Sequence, residues 1–306
     1  MIYTVTLNPA IDVSLHVTDG LMPGSINKSY GMRTDPGGKG INVSKTLKAM
    51  GVESVVCAGL CGEDGKRLSS MLKKDFEVIS ITYPAGNTRT NIKISGDNGV
   101  TTDINGKGPM YDKASVEGFK KTLLERLVPG DIVVISGRPP MGSPDNIYAD
   151  LIKAFKAVEG VKVILDCSES YLREGLLEKP YAVKPTMEEL GLLNGREEAL
   201  DKADSIVSSG VSRCLISMGK DGAVFAEEGK KAVYSPAIDV KVNCTTGCGD
   251  AMTAGLAYAA VNDMSSEGAF RMCMALASAE AETEGTYPPD KDRVMEIYNS
   301  ILLLGQ

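Results

Sequence analysis

The densest run of chemically useful residues is Asn243-Cys244-Thr245-Thr246-Gly247-Cys248-Gly249-Asp250-Ala251-Met252-Thr253-Ala254-Gly255, polar and glycine-rich at its start and alanine-rich at its end. Glycines let successive backbone N–H groups turn toward one point, and a helix begun at the alanines adds the positive end of its dipole. The expected product is an anion-binding hollow with the Asp250 carboxylate at its mouth. A carboxylate there can accept the proton of an attacking hydroxyl while the amides hold negative charge on a transferred phosphoryl group. The competing reading is that Asp250 only caps the helix, a role Asp fills well, and this segment alone leaves both open.

A second segment, Asp35-Pro36-Gly37-Gly38-Lys39-Gly40-Ile41-Asn42-Val43-Ser44, is another glycine-rich turn into a helix. It offers close backbone approach to a small polar ligand, with a charge from Lys39 and an amide from Asn42. Neither segment completes GxxxxGK[ST] or GxGxxG, so the P-loop and dinucleotide fingerprints are absent.

These turns need a scaffold. Apolar, β-branched runs alternate with segments of helical period, the pattern of a mostly parallel sheet flanked by helices. The predicted strands are Ile2 to Leu7, Ser54 to Leu60, Asp131 to Ser136, Val161 to Asp166, Ala182 to Lys184 and Cys214 to Met218. Helices are predicted over Ala114 to Leu127, Ser143 to Val158 and Arg196 to Ser209, and over most of Ala251 to Leu304. Two insertions break the rhythm. Residues 12–34 and 88–103 alternate like short strands, with Asp97-Asn98-Gly99 as a hairpin turn, and are expected to form a small β lid on a core of residues 1–11, 35–87 and 104–306.

Composition narrows the function classes. With 306 residues, 24% charged, 43% hydrophobic and a net charge of −7, the chain can bury a large core and repels nucleic acid and anionic membrane. Any anion must therefore meet locally placed cations and helix ends. The opening MIYTVTLNPAID lacks a signal peptide's basic segment and apolar run, and no stretch approaches 18 apolar residues, so a cytoplasmic location is expected. The seven cysteines then read as reduced thiols, and Glu280, Glu282 and Glu284 as a solvated helix-end run.

The two segments together, Gly37-Gly38-Lys39-Gly40-Ile41-Asn42-Val43 and Thr246-Gly247-Cys248-Gly249-Asp250, resemble the paired signatures of the PfkB carbohydrate kinases. Thr6-Leu7-Asn8-Pro9-Ala10-Ile11-Asp12 resembles the subgroup containing 1-phosphofructokinase and tagatose-6-phosphate kinase. Further matches run in family order: Thr88-Arg89-Thr90-Asn91-Ile92-Lys93, Lys184-Pro185 with Glu188-Glu189-Leu190, and Ser217-Met218-Gly219 with Gly222-Ala223. The resemblance implies a ribokinase-like α/β fold, a doubly wound, mostly parallel sheet with helices on both faces and a small β-strand lid. It implies ATP and Mg2+ as partners of the reaction and a ketohexose monophosphate as acceptor, fructose 1-phosphate first and tagatose 6-phosphate next. A sensor that binds sugar phosphate or nucleotide without turnover is the alternative from another class, and a homodimer through the lid is the expected assembly.

Residue by residue, the resemblance implies Asp250 as base and Gly247, Cys248 and Gly249 as the anion hollow. Asp12, Gly37, Gly38 and Asn42 would meet the sugar, and Lys39 and Arg89 its phosphate. Lys28 lies on the lid where relatives place a basic residue near the phosphate, sometimes that of the neighbouring subunit. Lys184, Ser217, Gly219, Gly222, Thr246, Gly247, Ala275 and Ser278 would border the nucleotide, and Glu189 would act on Mg2+ through water. Three positions depart from the pattern: Cys248 stands where the family has Ala, Thr186 where it has Asn, and Arg138-Pro139-Pro140 where close relatives have Ser-Leu-Pro. Arg138, with its planar charged fork, is expected to contact the sugar phosphate.

Overall fold

The computed structural model describes residues 1–301; the end of the helical prediction, at Leu304, lies outside the described residues. Its first half contains β1 (Ile2–Thr6), β2 (Ala10–Val17), β3 (Ser29–Gly37), α1 (Lys39–Ala49), β4 (Ser54–Leu60), α2 (Gly62–Leu72), β5 (Glu77–Thr82), β6 (Arg89–Gly96), β7 (Thr101–Asn105), α3 (Lys113–Leu124) and β8 (Ile132–Ser136). The second half continues through α4 (Ile147–Lys156), β9 (Lys162–Asp166), α5 (Glu169–Leu177), β10 (Ala182–Val183), α6 (Arg196–Ser208), β11 (Arg213–Ser217), β12 (Ala223–Glu227) and β13 (Val233–Ser235), and ends in α7 (Cys248–Val261), α8 (Ser266–Ala281) and α9 (Lys291–Ser300).

Nine strands form one sheet in the order β13-β12-β11-β10-β9-β8-β1-β4-β5. Every pair from β11 to β5 is parallel, and β12 and β13 extend one edge antiparallel. The strands are apolar throughout because both faces are covered: along β8, Val133 and Ile135 enter one core and Ile132 and Val134 the other. Helices α3, α4 and α6 close the first face, with Phe119, Phe155 and Ala203 as anchors. Helices α1, α7, α8 and α9 close the second. The chain winds from β1 to β4 and β5, then returns to β8 on the other side of β1. Such a reversal opens a crevice at the carboxyl ends of the strands, where ligands of these folds bind.

The lid is a separate sheet of four strands, β3-β2-β6-β7, with an antiparallel hairpin at each side and a parallel pair, β2 and β6, in the middle. Its strands start up to two residues before the predicted insertions and end up to three after them. The turn at Asp97-Asn98-Gly99 forms as expected, with Gly99 at φ 77°. Register makes the lid two-faced. Asp12, Ser14, Arg33, Asp35, Asn91, Lys93 and Asp103 are cross-strand neighbours on one face, and Val13, Leu15, Met32, Ile92, Ile94 and Ile104 on the other.

Candidate active site

Two helix N-termini meet at the crevice. Helix α1 is capped by Gly38 and α7 by Gly247, neither with a side-chain cap, so early N–H groups of each helix, in α7 those after Cys248, remain free for a ligand. Gly247 has φ 96°, a left-handed conformation that a side chain would strain. Gly37 is required by proximity: a Cβ there would stand 2.0 Å from Asp12 Oδ2. Asp250 is the third residue of α7 and not its cap, which removes the purely capping role.

Asp250 is buried, and its Oδ2 accepts a 2.8 Å hydrogen bond from the Asn42 amide. Lys45 stands one turn further along α1, its Nζ 2.6 Å from the Pro36 carbonyl and 3.4 Å from Asn42 Oδ1, so the amide of Asn42 is turned toward the carboxylate. Burial first, and then the charge of Asp166, push the Asp250 carboxyl up to about 6, against the opposing pull of Lys39. The result is a carboxylate held at one point, with a proton affinity near that required at neutral pH.

Asp166, at the carboxyl end of β9, is fully buried between two ammonium groups, Lys39 Nζ at 3.1 Å and Lys184 Nζ at 3.4 Å, and accepts from the Thr253 hydroxyl at 3.0 Å. Burial alone would raise its carboxyl, but Lys184 and Lys39 hold it below the usual carboxylate range. The ammonium of Lys184 also lies under the turn of the hollow, 3.5 Å from the point where a Cβ on Gly249 would be. Two cations on one anion leave a net positive charge beneath the free amides of α7.

The lid closes over this cluster. Asn91 Nδ2 donates to Asp12 Oδ1 at 2.8 Å, and Lys93 Nζ donates to the Thr246 hydroxyl at 2.8 Å. Between lid and core is a cavity of ≈ 240 Å³ lined by Asp12, Arg33, Asp35, Asn91, Lys93 and Thr246 among others. Thr6 Oγ1, Asn91 Oδ1, Ser136 Oγ and Glu280 Oε2 are buried without a hydrogen-bond partner among the described residues. They belong to the strand ends, lid and helix around the crevice, where a polyhydroxylated, charged ligand would satisfy polar atoms.

Residues 6–293 match the model of the pfkB family of carbohydrate kinases. The chain belongs to that family. Curated relatives include a 1-phosphofructokinase of Bacillus subtilis, 34% identical over 291 residues that cover 93% of each chain. A 1-phosphofructokinase of Xanthomonas campestris pv. campestris is 34% identical over 90% of this chain and 88% of its own. Among solved structures, phosphofructokinase-2 from Escherichia coli in complex with potassium superposes with a TM-score of 0.91 at 25% identity, over 98% of both chains.

This pfkB kinase brings most of the sequence-derived residues to one place. Asp12, Gly37, Gly38, Lys39, Asn42, Thr246, Gly247, Cys248, Gly249, Asp250 and Lys184 are all in the cluster described. Burial pushes the Cys248 thiol up to about 12, so its side chain is neutral, and its backbone N–H donates to the Thr245 carbonyl at 3.4 Å. Arg89 opens β6, its Nε 3.1 Å from the Asn8 carbonyl. Arg138 follows β8 on the exposed side of Gly137, which lies against the Lys39 side chain. Ser217, Gly219 and Gly222 shape the turn from β11 to β12, and Ser217 bridges to Thr186. Thr186 substitutes well for Asn: its Oγ1 accepts from the Glu189 N–H at 3.1 Å while Glu189 Oε2 accepts from the Thr186 N–H at 2.9 Å.

One expectation, that Glu280 is solvated, is corrected by packing, and three further positions are placed. Ala275 is fully enclosed on α8, in the core shared with α7, and Ser278 on the same helix is 8% exposed. Lys28 is exposed on the loop before β3 and does not line the cavity. Glu280 is not solvated but 2% exposed, with Oε1 only 2.5 Å from where a Gly247 Cβ would be. Burial and the charge of Asp250 push it up to about 8. Asp166, Lys45, Lys93 and Glu280 were missed as site residues. Only Asp166 carried a signal, as a carboxylate ending a buried strand at the ligand-binding edge of the sheet.

Proposed function

We propose that this kinase transfers the γ-phosphoryl group of ATP to the free primary hydroxyl of fructose 1-phosphate, giving fructose 1,6-bisphosphate and ADP. The observation that carries the reading is the desolvated Asp250 carboxylate, oriented by Asn42 at the third residue of a helix whose N-terminus is uncapped. The hydroxyl oxygen bonds to phosphorus as the bond from phosphorus to the β–γ bridging oxygen breaks. The hydroxyl proton passes to Asp250, and ADP departs with the electron pair. The N–H groups after Cys248, with Lys184 beneath Gly249, face the charge on the phosphoryl oxygens. Lys39, Arg89 and Arg138 are the cations assigned to the sugar's own phosphate.

Among the described residues no three acidic, His or Cys side chains converge as a metal cage. A single oriented carboxylate, that of Glu189, suits Mg2+, which keeps much of its water shell and binds through substrate phosphates with one or two carboxylates. Glu189, fixed by Thr186, is the carboxylate that would hold its water shell, and when bound the ion neutralises charge on the β- and γ-phosphates.

The 34% identity to two proteins named 1-phosphofructokinase supports the choice of acceptor. A coupled ADP-release assay over fructose 1-phosphate, fructose 6-phosphate, tagatose 6-phosphate, fructose and ribose tests it. The expected result is the highest kcat/KM with fructose 1-phosphate. A preference for fructose or ribose overturns the phosphosugar reading, and no turnover with any of the five favours a sensor.

The lid supports a homodimer. Its outward face carries Met32 at 74% and Ile104 at 50% exposure, beside Val13, Leu15 and Ile92, an apolar half-sheet that a second copy would cover. In that assembly Lys28, exposed on the loop before β3, would be available to the partner subunit.

A further inference from the structure

We infer that Lys93 is a catalytic cation carried by the lid, placing its ammonium at the mouth of the anion hollow to neutralise charge on the phosphoryl group in transfer. The inference rests on the phosphoryl-transfer reading above and adds a residue to it. Its geometric basis is the 2.8 Å hydrogen bond from Lys93 Nζ to Thr246 Oγ1. Thr246 immediately precedes Gly247, the cap of α7, so the ammonium stands at the threshold of the free amides. Asp250 is three residues beyond Gly247, within the first turn. A phosphoryl group passing to a hydroxyl held by Asp250 must lie between these points.

The other cations of the crevice are already engaged. Lys39 and Lys184 share Asp166, at 3.1 and 3.4 Å. Arg33 Nε is 2.6 Å from Asp35, Arg89 Nε bonds the Asn8 carbonyl, and Lys45 the Pro36 carbonyl. Among the described residues Lys93 makes no ion pair, although Asp103 is its neighbour across the ladder. Its charge is therefore directed at a hydroxyl, a weak partner that an anionic oxygen would readily displace. The transferred phosphoryl group brings its own negative charge past the Asp250 carboxylate, and an ammonium at the mouth of the hollow offsets it.

Placement on the lid gives the residue a second property. Lys93 shares its strand face with Asn91, which bonds Asp12, so the residue that reads the sugar side of the cavity and the cation at the phosphoryl side move as one piece. The charge arrives only when the lid is down. A kinase built this way completes its electrostatic site after the acceptor is enclosed, which protects ATP from hydrolysis in the open state.

The test is steady-state kinetics on Lys93→Gln and Lys93→Arg beside the unaltered protein, with fructose 1-phosphate and ATP varied separately. Gln keeps a donor for Thr246 without the charge, and Arg keeps the charge. Lys93 lines an open cavity, so both variants should melt at the wild-type temperature. The expected result is a kcat about 10²-fold lower for Gln, the scale of losing one charge-stabilising donor. Both KM values should stay within about threefold and Arg should recover most of the loss. Three outcomes overturn it: a Gln variant as fast as wild type, equal losses in Gln and Arg, or a raised sugar-phosphate KM at unchanged kcat. A wild type that phosphorylates no sugar phosphate, while still folded, instead overturns the kinase reading and this inference with it.

Discussion

An aspartate with the ordinary pKa of about 3.9 is a poor proton acceptor at neutral pH. Burial and the neighbouring charge of Asp166 push Asp250 up to about 6. Its catalytic form is the ionised one, so kcat/KM is expected to fall as pH drops through about 6, which a pH–rate profile reads directly. Asp250→Asn keeps the Asn42 contact possible but cannot take a proton; kcat should fall roughly 10²-fold or more with the fold intact. Asp166→Asn makes a separate point. It removes a charge that raises Asp250, so the acid limb should move to lower pH. It also strands Lys184, 2% exposed, without a counter-charge. Breaking a buried pair in this way costs about 3–5 kcal/mol, measurable by urea unfolding. A profile that keeps its acid limb in Asp166→Asn would show that this coupling is absent.

The element that carries the site is α7, and its alanine-rich sequence lets it approach α8 closely. At Gly255 a Cβ would come within 2.7 Å of Cys273 Cα, so the two helices approach backbone to backbone there. Gly255→Ala should therefore destabilise by about 1–3 kcal/mol through overpacking, and because α7 also holds Asp250, kcat should fall with it. A variant with unchanged unfolding midpoint and kcat would contradict that contact. The same elements show what was legible in advance. The buried parallel strands were, since parallel sheets read as continuous apolar runs, whereas the buried antiparallel β12 was not. Strand β5, Glu-Val-Ile-Ser-Ile-Thr, was not, because as the sheet's edge it alternates buried and exposed positions and interrupts any apolar run. The predicted helix at Ser143 begins only at Ile147, after Pro144 and Asn146. Both glycine-rich turns announced the site because glycine marks close approach. Lys45, Lys93 and Glu280 did not, since an ordinary Lys or Glu becomes a site residue only through what the fold sets against it.

For the whole molecule, the two-faced lid links catalysis to assembly: its polar face completes the cavity and its apolar face is offered outward. Sedimentation of the unaltered protein is expected to give a dimer, and Met32→Lys with Ile104→Lys a monomer, because a charge on each of the two edge strands, β3 and β7, of a buried apolar face is strongly unfavourable. An unaltered protein that sediments as a monomer at micromolar concentration would refute the lid-to-lid arrangement. The parallel pairing at the lid's centre has a consequence for the protein's birth on the ribosome. Strand β2 ends at Val17 and its partner β6 begins at Arg89. At about 5–20 residues per second, roughly 4 to 15 s of translation separate the two. Through that interval the first hairpin is a nascent ribbon with one ladder of N–H and C=O groups unmatched and its apolar side uncovered. This segment is a natural client of a ribosome-associated chaperone.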